Sequence, residues 1–190
     1  MSSRLPVGRM SHAEYVAAEA TADSRHEYLR GEIYDMAGGS LEHAALAAAL
    51  AREIGIALQG KPCRTFSSDA RVRIDATDTT TYPDLSVVCG ELQSSSADGR
   101  SMLNPVVICE VLSDSTEAYD RGAKASHYRH IASLKEYVLV SQSEQRVEVQ
   151  RRNAAGHWEL HEFGPGGHAV LESLGVSISL DALYRNPLAS

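Results

Sequence analysis

Between residues 41 and 58 apolar side chains return at every fourth position: Leu46, Leu50, Ile54 and Leu58 make one stripe along a helix. Ser40 is placed to cap that helix, and Gly60 with Pro62 to end it. Upstream, Ser11-His-Ala-Glu14 has the spacing of a capping box and predicts a helix over about 12–22. Residues 25–29 read as a short turn and 32–36 as a first strand. The period then changes to two. Ala70, Val72 and Ile74 alternate with Arg71, Arg73 and Asp75, the pattern of a strand with one face in water. Residues 84–89 and 106–112 are almost continuously apolar, as strands covered on both faces are, and the polar, Ser/Gly-rich segment 92–104 between them is a loop. A helix is predicted over about 116–132. Strands follow at 136–141, 146–152 and 158–162, then a turn at 164–167 and a short strand at 176–180. This order predicts an α/β fold, a mixed β-sheet flanked by helices with additional C-terminal β-hairpins.

A chain of 190 residues suits one domain. No apolar run approaches the roughly 20 residues that span a bilayer, and no apolar stretch follows the arginines of the first ten residues, so the expectation is a cytoplasmic protein with no membrane partner. With 18 basic and 25 acidic side chains the formal net charge is -7. That balance does not by itself suggest a polyanionic partner, although acids gathered at a metal site could supply part of the excess. Cys63, Cys89 and Cys109 show no close pairing and are expected to be buried free thiols.

Glu110 is the sharpest chemical feature. It lies inside Val106-Val-Ile-Cys-Glu-Val-Leu112, where a carboxylate is costly unless it is paired or holds a cation. Alternation puts it on one face with Ile108 and Leu112. Asp84 follows Pro83 and opens the other apolar strand. If the two strands are neighbours, both acids meet at one end of the sheet, and a hard divalent cation, Mg²⁺ or Mn²⁺, would remove their repulsion. On the next helix Asp120, Lys124, Tyr128 and Ile131 share a stripe. Lys124 is either half of an Asp120–Lys124 surface pair or a cation aimed at the acids. Glu27 could add a carboxylate, and His43, in the first turn of its helix, could touch a phosphate or a water. Each has a plainer reading as an exposed helix-end residue. His127 and His130 lack a third ligand at zinc spacing. No dinucleotide fingerprint, phosphate-binding P-loop or nucleophile elbow occurs.

Taken together, Tyr82-Pro-Asp-Leu-Ser-Val-Val-Cys89, Pro105-Val-Val-Ile-Cys-Glu-Val-Leu-Ser113, Ser115-Thr-Glu-Ala-Tyr-Asp120 with Lys124 and Tyr128, and Glu136-Tyr-Val-Leu-Val140 resemble the Uma-two family. That family is described as endonucleases of the PD-(D/E)xK, restriction-endonuclease-like superfamily. Arg25-His-Glu-Tyr-Leu-Arg-Gly-Glu-Ile-Tyr34 and His43 extend the resemblance over about 11–184, which implies a single restriction-endonuclease-like domain over 1–190. It implies catalytic roles for Asp84, Glu110, Lys124 and Glu27, a metal held by Asp84 and Glu110, and a Mg²⁺- or Mn²⁺-dependent endonuclease acting on nucleic acid, DNA above all, as a homodimer. Leu112 stands where the superfamily has its lysine, and Lys124 matches the place to which that lysine has moved. His43, Arg71 and Arg73 are the expected substrate-binding residues. A basic patch of Arg71, Arg73, Arg121 and Lys124 beside the acids would favour nucleic acid. An acidic or apolar rim would favour either alternative: a catalytically inactive partner-binding or regulatory protein on the same fold, or a small-molecule hydrolase.

Overall fold

The computed structural model describes residues 9–36 and 38–186. The Ser11 hydroxyl accepts the Glu14 N–H while Glu14 accepts the Ser11 N–H, and this capping box starts α1 (His12–Glu19). The expected turn after it is instead a strand, β1 (His26–Leu29), which pairs with β2 (Glu32–Asp35). Its four residues carry too little pattern to announce a strand; the pairing with distant chain decides it. Then α2 (Leu41–Ala57) runs from the Ser40 cap as predicted, with Leu46, Leu50 and Ile54 buried along its stripe.

Next come β3 (Cys63–Ser67), β4 (Val72–Ile74), a 3₁₀ turn (Asp75–Thr77) and β5 (Thr79–Thr81). The sequence pattern predicts only β4 among these strands. It also predicts a solvent face carrying Arg71 and Arg73, which the structure corrects: the two are 7% and 8% exposed. The rings of α1 residues His12 and Tyr15 pack against Tyr28 of β1, and the Arg73 guanidinium lies over that same Tyr28. So α1 covers the face that alternation assigns to water.

The two apolar runs are β6 (Leu85–Cys89) and β7 (Val107–Leu112), and every residue of β7 is buried. The predicted long helix is broken into α3 (Glu117–Tyr119), one π-helical turn (Asp120–Lys124) and α4 (Ala125–Tyr128). The C-terminal third is β8 (Glu136–Ser141), β9 (Val147–Arg152), β10 (Trp158–Phe163), β11 (His168–Leu171), β12 (Val176–Ser179) and α5 (Leu180–Leu183).

The large sheet has the order β10-β9-β8-β7-β6-β3. Only β7 and β8 pair in parallel; their crossover is the α3–α4 segment, so the sheet is mixed. A four-stranded antiparallel sheet, β2-β1-β5-β4, and the β11–β12 hairpin complete the fold. Apolar side chains cover both faces of the large sheet. Val107, Cys109 and Val111 of β7 pack with the α2 stripe, while Ile108 and Leu112 pack with Tyr128, Leu134 and the small sheet's Val72 and Ile74. Among the described residues no helix is long and apolar enough to cross a membrane.

Cysteine pairing differs from expectation. Cys63 and Cys89 are register partners on β3 and β6 and form a disulfide, leaving Cys109 buried and free. The sequence separation of 26 hides a contact that strand register creates.

Candidate active site

The antiparallel register of β6 and β7 sets Leu85 against Cys109, so the preceding Asp84 comes opposite Glu110. The two acids interlock through the main chain. The Val111 N–H donates to Asp84 Oδ2 at 2.8 Å, and the Asp84 N–H approaches Glu110 Oε2 at 3.4 Å. The sequence-derived convergence of these two carboxylates is therefore present, at one end of two central strands.

Glu110 is 3% exposed, and its nearest cation is Lys124, with Nζ 2.8 Å from Oε1. The same ammonium lies 3.4 Å from Glu27 Oε1 and 3.6 Å from Asp120 Oδ1. The π-helical turn makes this possible: its extra residue turns both Asp120 and Lys124 inward, where each is buried. Glu27 is not a helix-end acid but a buried residue of β1, and it also accepts the Tyr82 N–H at 3.3 Å. The Tyr128 hydroxyl donates to Glu110 Oε1 at 2.8 Å and contacts the Thr81 hydroxyl at 3.1 Å.

Burial pushes the Glu110 carboxyl well above its ordinary range, against the pull of Lys124, and the carboxylates of Asp120 and Asp84 add to the rise. Asp120 moves up for the same first reason, burial. Burial works against the Lys124 charge, but Glu110 and Glu27 outweigh it and hold the ammonium protonated. Three carboxylates, Glu110, Glu27 and Asp120, thus share one lysine, and Asp84 stands beside them with His43 as its partner. Such a cluster is short of positive charge, which a proton or a bound cation can supply.

His43 comes to the same place from the first turn of α2. Its Nε2 lies 3.2 Å from Asp84 Oδ2, and that contact raises its pKa. A side chain at Gly39 would put its Cβ 2.8 Å from His43 Nδ1, so the glycine leaves room for the ring. Gln142 ties the surroundings together: it donates to the Leu112 carbonyl at 2.6 Å and accepts from the Ser40 hydroxyl at 3.0 Å.

These groups line a cleft of about 780 Å³. Its acids are Glu27, Asp84, Glu110 and Asp120 within and Glu42, Asp114 and Glu117 around them, while Lys124 and His43 are the basic residues that line it. The structure does not bring Arg71, Arg73 or Arg121 to the cleft, so the expected basic patch beside the acids is not there and the rim is acidic, the outcome set out above for a partner-binding protein or a small-molecule hydrolase. Arg71 pairs with Asp98 at 3.3 Å, Arg73 with Asp75 and Asp78 at 2.8 and 2.7 Å, and Arg121 with Glu117 and Glu148.

No group of three or more His, Cys, Asp or Glu side chains among the described residues is arranged to enclose a metal. The donors present suit an ion that keeps most of its water. Asp84 Oδ2 is engaged by Val111 and His43, whereas Asp84 Oδ1 takes no hydrogen bond among the described residues and Glu110 Oε2 takes only the long one from Asp84. Two carboxylate oxygens and several waters fit Mg²⁺ or Mn²⁺ better than zinc.

Three contributors escape the sequence reading. Tyr128 carries a usable signal, since it shares the Lys124 stripe four residues on, but its hydroxyl contact needs β7 beside the helix. Gly39 reads only as a chain break. Gln142 has no local signal, because its partners lie 102 and 30 residues away.

Comparison with known proteins places the chain in a family and a fold. Residues 12–183 match the model of the Uma2 family, described as "Putative restriction endonuclease". Two uncharacterized proteins of Synechocystis sp. are similar to the chain. One is 34% identical over 184 residues, covering 97% of this chain and 96% of that protein, and the other 33% identical over 163 residues, covering 86% and 92%. A crystal structure titled as a "putative nuclease belonging to DUF820" from Anabaena variabilis superposes with a TM-score of 0.73 at 19% identity, covering 94% of this chain and 98% of that one, which establishes a shared fold. By the extent of the family match and the identity of these relatives, the chain belongs to the Uma2 family.

Proposed function

We propose that the protein hydrolyses phosphodiester bonds of nucleic acid with Mg²⁺ or Mn²⁺ held by Asp84 and Glu110. The observation that carries this reading is the pair of opposed carboxylates on β6 and β7 with Lys124 Nζ 2.8 Å from Glu110, in one cleft. The family description and the nuclease title of the structural neighbour support it. A bound divalent ion would supply charge neutralisation at the phosphate and acidify a nearby water.

The chain's own residues do the rest. Tyr128 and Lys124 hold Glu110 by Oε1, and Glu110 with Asp84 would hold the ion. The Val111 N–H and His43 hold Asp84 by Oδ2 and keep Oδ1 available. Lys124 has donors to orient the attacking water or to meet charge growing on the phosphate, and Glu27 and Asp120 keep it protonated. No covalent intermediate is required. The reading includes one domain and a homodimer; β10 pairs with β9 on one side only, and Leu160 on it is 56% exposed.

Calorimetric titration of Mn²⁺ into the wild type and Glu110→Ala tests the ion site: heat of binding is expected from the first and not the second. Equal heats remove the site. Mg²⁺-dependent cleavage of plasmid, single-stranded DNA and RNA is expected to vanish in Asp84→Ala, and cleavage that survives assigns the activity elsewhere.

A further inference from the structure

Granting that reading, we infer that the substrate is an unpaired stretch of nucleic acid, gripped through one phosphodiester and its flanking bases, and not a duplex held along its phosphates. The charge of the cleft is the first argument. A duplex carries one negative charge per about 1.7 Å of axis, and proteins that track it neutralise several phosphates with lysine and arginine. Here the rim of the cleft carries Glu42 and Asp114, both exposed, and among the described residues neither has an ion pair. Arg121, next in sequence to the cleft residue Asp120, is committed to Glu117 and Glu148. Positive charge is confined to the floor, at Lys124, which is 7% exposed, and His43. That distribution accepts one phosphate at the reacting position, and across the rim it repels a rigid duplex, with twice the charge per length, more than a single strand that can bend its other phosphates away.

The second argument is the apolar part of the lining. The β1–β2 hairpin presents Leu29, Tyr34 and Met36, all half-buried, to the cleft. An apolar and aromatic wall beside one anionic position suits a splayed base, which can stack on a tyrosine; in a duplex its faces are already taken by neighbouring pairs. A volume of about 780 Å³ has the scale of a small-ligand site, room for a diester with its adjoining nucleosides.

The test uses the full-length protein with Mn²⁺ and three substrates: methyl p-nitrophenyl phosphate, a short single strand, and the same sequence as a duplex. All hydrolysis is checked against Asp84→Asn. Expected is a kcat/KM for the single strand at least about tenfold above that for the duplex, with a log–log salt slope near about -1, a single phosphate contact. The double substitution Glu42→Lys with Asp114→Lys is expected to raise duplex binding and steepen its salt slope. Equal or better turnover of the duplex, a slope of about -5 or steeper, or a charge reversal without effect on duplex binding overturns the inference while the small diester still reports an intact phosphodiesterase. Failure to hydrolyse any of the three overturns the phosphodiesterase reading itself, and the inference with it.

Discussion

Two clusters of charge lie on opposite faces of the small sheet, and they differ in what they leave unfinished. On one face Tyr28 of β1 meets Arg73, while Arg71 and Arg73 are matched to Asp98, Asp75 and Asp78. Each arginine has a carboxylate within 3.3 Å, and neither lines the cleft. On the other face the neighbouring residue, Glu27, meets Lys124, and three carboxylates share that lysine beside open space, with Asp84 next to them. Adjacent residues of one strand thus feed a closed, nearly neutral cluster and an open, anionic one. Buried charge alone does not mark a reactive site; uncompensated charge with access does.

Substitutions in the two clusters should therefore separate activity from stability. The largest effect is expected from Asp84→Asn: hydrolysis of a phosphodiester falls roughly a thousandfold, about 4 kcal/mol of transition-state stabilisation, while the urea unfolding free energy moves by less than about 1 kcal/mol. Arg71→Ala should do the reverse. It leaves the buried Asp98 without its partner and costs about 3 kcal/mol in urea unfolding, with kcat of the folded fraction unchanged. A stable Arg71→Ala protein would show that the closed cluster holds nothing together.

Gly39→Ala comes next. A methyl 2.8 Å from His43 Nδ1 pushes the ring off Asp84, and kcat is expected to drop about tenfold with thermal stability retained. Retained kcat would remove His43 from the machinery. The smallest effect concerns pH. Burial, then Arg73, lowers the His12 pKa below its ordinary 6.5. Between that lowered value and 6.5 the unfolded chain binds more protons than the folded one, so stability falls as pH drops through the window. His12→Gln should flatten that fall, measured as the change in urea midpoint between neutral and mildly acidic buffer; an unchanged slope assigns the effect to another group.

Much of this site was legible from local pattern. An acid amid continuous apolar residues announces a constraint, so Glu110 stood out, and Asp84 followed from its place at the mouth of the second such run. Lys124 needed the resemblance, because four-residue spacing from Asp120 describes a surface pair equally well. What misled was alternation at 70–75. It reports which residues share a face and not whether something covers that face, so Arg71 and Arg73 looked like solvent-side cations and proved to be buried beneath α1. The strand β1 and the Cys63–Cys89 bridge were hidden for a related reason, since both exist through pairing with chain far away in sequence.

By itself the sequence determined the α2 stripe, the two central strands and the acids within them, because periodicity and the cost of burying charge act over a few residues and leave their mark there. Only the tertiary structure decided which cations are compensated and which acids are not. Charge balance depends on what lies within a few ångströms, and here those neighbours come from β1, β6, β7 and the π-helical turn, segments that register and packing bring together from across the chain.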